Sequence, residues 1–146
     1  MNKQLAKHLE KIARRHAGDA PYPTSLCVEF DVVDNHPRIW ATDAYGIARI
    51  DVYKDFDNVQ PLADIAGGKV DVLNTHFENV DKGITESISG FSGVDPILLE
   101  QFVRIFKLAG VPIAEIELLN PYCRIYGRNS QYQISVLILG LREVAR

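Results

Sequence analysis

Lys3, Lys7, Lys11 and Arg14 recur at steps of four, four and three, the spacing that lines one side of a helix, with Arg15 beside them. A row of cations with that repeat does one kind of chemistry well. Each charge brought near a phosphate releases condensed counterions, so a polyanion is held without regard to its sequence. Against Glu10 the five cations give residues 1–17 a charge of +4; the whole chain carries −3, so the remainder carries −7. The same row fits a solvated surface helix. It also fits a helix lying on a membrane, although the apolar stripe lacks the Trp or Phe that anchors one.

Other chemistry is poorly supported. His8, His16, His36 and His76 have no zinc-type pairing and no HExxH, and read as surface or turn residues. Gly67-Gly68 and the Gly90 to Gly93 stretch lack the lysine and glycine pattern of a phosphate loop, and Ser87, Ser89 and Ser92 lie in no nucleophile elbow. Asp31, Asp34 and Asp43 could gather round a metal if strand ends converge, but Asp in such places more commonly caps turns. No catalytic residue, metal or cofactor is therefore expected. Cys27 and Cys123, far apart, with no CxxC spacing and no signal-peptide pattern, predict two buried thiols in a reduced, cytoplasmic protein. No apolar run is long enough to span a membrane.

The elements that would position these residues can be read from periodicity. Leu5, Leu9 and Ile12, flanked by Ala6 and Ala13, give a helix from Asn2 to Ala17 an apolar stripe opposite its cations. Gly18 and Pro21-Tyr22-Pro23 end it. Alternation then predicts strands at 26–33, 38–42 and 47–52, separated by Asp34-Asn35-His36-Pro37 and Asp43-Ala44-Tyr45-Gly46 turns. Asp95-Pro96 opens a second helix, its apolar face Leu98, Leu99, Phe102, Val103, Phe106 and Ala109, its polar face carrying Glu100, Gln101, Arg104 and Lys107. Gly110 and Pro112 stop it. Strands follow at 115–119, 122–127 and 131–141, the last apolar on both faces near its end. Between the halves, Pro61 to Ala66 reads as a helical turn, Val70 to Leu73 and Ile84 to Ile88 as strands, and Gly67-Gly68 as a loop.

The run Ile39-Trp40-Ala41-Thr42-Asp43-Ala44-Tyr45-Gly46-Ile47-Ala48 resembles the Ala-Thr-Asp-Gly-His-Arg-Leu-Ala signature of the bacterial sliding clamp, the β subunit of DNA polymerase III; Ala41, Thr42, Asp43 and Ala48 match. Val94-Asp95-Pro96 with Leu98-Leu99 is similar to the Phe-Asn-Pro-Lys-Tyr-Leu that opens the second helix of the last clamp domain. Ile116-Glu117-Leu118 before Asn120-Pro121 resembles a family strand ending in Gly-Pro, and Val136 to Arg142 resembles the closing Met-Pro-Met-Arg strand. His76-Phe77-Glu78-Asn79-Val80 faintly resembles the Phe-Pro-x-Tyr segment that joins clamp domains. The order of elements is also that of a clamp domain.

The resemblance implies an α+β DNA-clamp fold: two helices packed on two antiparallel sheets with an internal pseudo-twofold repeat. The half-repeats would be roughly 1–55 and 84–146 of a single domain spanning 1–146, joined by an irregular connection at 56–83. It implies a non-enzymatic protein of DNA replication or repair, with duplex DNA, replication or repair proteins and further copies of itself as partners. The DNA-facing set would be Lys3, Lys7, Lys11, Arg14, Arg15, Arg104 and Lys107, on an inner face turned to the phosphates while the outside stays acidic. By match of position, Leu139, Gly140, Leu141 and Arg142, with Leu137 behind them, would form a cleft for partner peptides. The alternatives are a clamp-fold regulator that binds a protein without encircling DNA, and a small α+β enzyme.

Overall fold

Asn2 begins the first helix by accepting the Leu5 N–H on Oδ1 at 2.8 Å, which satisfies one of the donors a helix start leaves open. The helix, α1 (Lys3–Ala17), contains no Gly or Pro and is rich in Leu, Ala and Lys, all good helix formers. Its stripe is core: Leu5, Leu9, Ile12 and Ala13 are fully buried. A computed structural model describes residues 1–17, 25–30, 35–43, 45–67, 91–119, 122–139 and 141–142. The expected strands at 70–73 and 84–88, the joining segment at 76–80, and Asp31 and Asp34 lie outside them.

The first half continues as β1 (Leu26–Glu29), β2 (Arg38–Thr42) and β3 (Gly46–Val52), an antiparallel meander. The helical turn expected at 61–66 is α2 (Val59–Ile65), so the start of the connection expected to be irregular is regular. Then come β4 (Phe91–Gly93), α3 (Pro96–Ala109), β5 (Glu115–Leu119), β6 (Tyr122–Arg128), β7 (Tyr132–Leu139) and β8 (Leu141–Arg142). Asp95 caps α3 through the Ile97 N–H at 2.8 Å, with Pro96 at the first helical position. Gly110 ends it at φ 73°, a left-handed conformation that lets Val111 N–H return to the Phe106 carbonyl at 2.9 Å.

The two meanders do not form separate sheets. β3 pairs with β7 from Gly46↔Ile138 to Val52↔Tyr132, which fuses them into one antiparallel sheet of order β1-β2-β3-β7-β6-β5. The strand expected at 131–141 is divided: β7 stays in this sheet, whereas β8 leaves it and pairs with β4 in a second, two-stranded one. The architecture is α+β, with α1 and α3 packed side by side on one face of the large sheet.

Alternation decides which residues meet them. Ile39, Ala41, Ala48, Ile50, Ile125, Ile134, Val136 and Ile138 face the helices and are buried with Phe102, Ile105 and Phe106 of α3. On the opposite face Cys27, Trp40 and Leu137 make a smaller buried cluster. Trp40 donates its indole N–H to Glu29 at 2.9 Å, and Arg38 forks onto the buried Asp51 at 2.6 and 3.3 Å.

Candidate nucleic-acid interface

The cations of α1 point away from its buried stripe: Lys3, Lys7, Lys11 and Arg14 are exposed, as are Arg104 and Lys107 on α3. Six of the seven expected DNA-facing residues thus share one helical layer; the Arg15 side chain lies outside the described residues. The helices run antiparallel, because Asn2 Nδ2 reaches the Leu108 carbonyl at 2.8 Å while His8 Nε2 meets the Gln101 carbonyl at 2.7 Å. A shallow groove of about 520 Å³ separates them.

Lys11, Arg14 and Arg104 line that groove with His8 and Gln101, but Glu100 and the 63 % exposed Ile97 line it too. Arg14 also holds Glu10 at 3.0 Å one turn back, a surface pair of small energetic weight. The layer is cationic along α1 and mixed along α3.

His8 is not the plain surface residue its spacing predicts. It is half-buried, and because a carbonyl only accepts, its ring donates from Nε2 to Gln101. Burial lowers its pKa from the ordinary 6.5; the carbonyl bond opposes this, and the charges of Arg104 and Lys11 lower it further. His36, expected in a turn, is buried beside Asp51 at 3.6 Å and against the Tyr53 ring at 4.6 Å between centroids.

Asp43 is a turn cap. One carboxylate oxygen accepts the Tyr45 and Gly46 N–H groups, each at 3.0 Å, and the other accepts Gln101 Nε2 at 2.9 Å. Thr42 donates its hydroxyl to the Gly46 carbonyl at 2.7 Å. The Thr42-Asp43 pair therefore builds the β2–β3 turn and ties it to α3. Gln101 links the turn to α1 as well, through His8. Sequence reading missed this role, although a lone Gln at the margin of an apolar stripe was a signal for it.

Among the described residues no three of His, Cys, Asp or Glu gather as a metal site. Cys27 and Cys123 are free and buried, and burial, aided by Glu29, pushes the Cys27 thiol up to about 11. In the expected peptide cleft Leu137 is buried beside Trp40; Gly140 and the side chains of Leu139, Leu141 and Arg142 lie outside the described residues. Among the described residues no helix is long and apolar enough to cross a membrane.

A scan against protein-family models finds no match, and no curated protein or solved structure matches the chain.

Proposed function

We propose that the protein is a non-enzymatic, clamp-like domain that holds duplex DNA through the α1–α3 layer, in the service of replication or repair in the cytoplasm. The observation that carries the reading is the set of six exposed cations on two antiparallel helices that pack together on one side of the sheet. The repeated order of one helix and three antiparallel strands, meeting through β3 and β7, supports the clamp resemblance. Phosphates are the fitting ligand, because four of the six cations are lysines, flexible point charges that meet phosphates without selecting a base. Partner proteins would meet the end of β7 and β8, beyond the buried Leu137.

A second reading, a regulator that touches a protein partner without encircling DNA, is favoured by Glu100 and Ile97 in the groove, which suit a mixed protein surface better than a phosphate backbone.

Fluorescence anisotropy on duplexes of two unrelated sequences separates the two. Equal affinity for both duplexes and a steep salt dependence are expected. Replacing Lys3, Lys7 and Lys11 with Gln should lower the slope of log K against log salt by about 2.7, and replacing them with Glu should abolish binding. Binding that survives the Glu variant undiminished would make α1 a solvated face.

A further inference from the structure

His8 sits where the two cation-bearing helices face each other. It lines the groove with Lys11 and Arg14 of its own helix and with Glu100, Gln101 and Arg104 of α3. Its Nε2–H is committed to the Gln101 carbonyl at 2.7 Å, and Gln101 is itself held by Asp43 of the β2–β3 turn at 2.9 Å. The neutral ring is thereby fixed with its proton on Nε2, which leaves Nδ1 an acceptor with no bond to any described residue. An acceptor has nothing to offer a phosphate oxygen. One added proton reverses its sense: Nδ1 becomes a charged donor, while the bond to Gln101 survives, because both nitrogens of an imidazolium donate.

The charges around the ring come from three elements. Lys11 of α1 and Arg104 of α3 both act on it, and Arg14, paired with Glu10 at 3.0 Å, and Glu100 complete the groove's charged set. Asp43 of the turn is linked to it through Gln101. Beneath α1, β2 presents the buried apolar Ile39 and Ala41, and α2 meets α1 at its start, where Asn58 Nδ2 bonds the Met1 carbonyl at 2.8 Å. Counted against Glu10 and Glu100, the three permanent cations leave the groove at +1, and a proton on His8 doubles that charge. We propose that the groove takes up a proton when it binds a DNA phosphate, the His8 imidazolium joining Lys11, Arg14 and Arg104 around the anion. The inference rests on the phosphate-binding reading of the α1–α3 layer. In the free chain burial and the two neighbouring cations keep the ring neutral at pH 7; a phosphate between the helices offsets those cations, so the proton arrives with the anion. By linkage, affinity rises as pH falls.

The test is fluorescence anisotropy on a labelled duplex at constant salt, from about pH 8 to about pH 5.5, within the interval where circular dichroism shows the chain folded. Backbone phosphodiesters stay fully charged throughout, and a His8→Gln variant keeps every other histidine and a donor for the Gln101 carbonyl. Over that interval the unchanged chain should gain about three- to tenfold in affinity beyond any gain of the variant. Its slope of log K against log salt should steepen at the acid end by up to about 0.9, the share of one more phosphate contact. In proton NMR the His8 Cε1–H resonance, identified by its loss in the variant, should titrate at higher pH with DNA than without. If His8 merely braces Gln101, the pH curves of the two chains will run parallel. Parallel curves, or a His8 titration that DNA does not move, would overturn the proton coupling while leaving phosphate binding in place. Failure of both chains to bind the duplex at any pH in the interval would overturn the phosphate reading and the coupling together.

Discussion

His8 shows how one side chain couples the helices to solution conditions. Its position between α1 and α3, close to Lys11 and Arg104, disfavours the imidazolium, so its folded pKa lies below the unfolded value. The unfolded chain then binds the extra proton, and the stability that neutral His8 contributes is complete above the unfolded pKa, near 6.5, and is lost as pH falls toward the folded one. The thermal midpoint should accordingly decline from just above pH 6.5 downward. In His8→Gln, which keeps a donor for the Gln101 carbonyl but does not titrate, the decline should be shallower in that interval. An unchanged profile would mean that other groups govern it.

At the scale of elements, packing of α3 on the sheet turns on a close approach. A Cβ built on Gly46 would sit 2.7 Å from Cζ of the fully buried Phe102 and closer still to its Cε2. Neither the ring, held in the core, nor the backbone, fixed by Thr42 and Asp43, can yield cheaply. Gly46→Ala should therefore destabilise by about 1–3 kcal/mol, read from urea unfolding. Phe102→Leu should relieve much of that cost in the double variant, so the two changes should be clearly non-additive. Strict additivity would show that the clash is absorbed elsewhere. The turn residues that match the clamp signature thus have a structural use of their own: they shape the β2–β3 corner that Phe102 fills.

For the whole molecule, the sheet has a centre and two unlike ends. β3 and β7 have paired neighbours on both sides and face the core through Ala48, Ile50, Ile134, Val136 and Ile138, all buried. Native-state hydrogen exchange should be slowest for their amides and approach the global unfolding free energy there, with β5 exchanging much faster. The charge is also unevenly distributed along the chain, +4 in residues 1–17 against −7 in the remainder, and Lys3, Lys7, Lys11 and Arg14 of α1 are exposed. This separation gives the chain a directed field that would orient a polyanion toward α1 without increasing its affinity for particular bases.

The sequence by itself determined most of the described elements, though not β4 or the break between β7 and β8, and much of the core. Periods of 3.6 and 2 are local, and so are the caps at Asp95 and Gly110 and the turn at Asp43, so both long helices and six strands were legible, with the exposure of Lys3, Lys7 and Lys11 and the burial of Leu5, Leu9, Phe102 and Phe106. Tertiary structure alone decided that the meanders fuse through β3 and β7, because strand pairing across eighty or more residues depends on contacts no local pattern records. It also decided where β8 goes, and that Ile116 and Leu118, which alternate like core residues, stand bare: alternation specifies a face of the sheet but not whether a helix covers it. The groove is of the same kind. Ile97, Glu100 and Gln101 came beside Lys11 and Arg14, and His8 beside Arg104, only when α1 and α3 packed antiparallel, and that geometry belongs to the sheet beneath them.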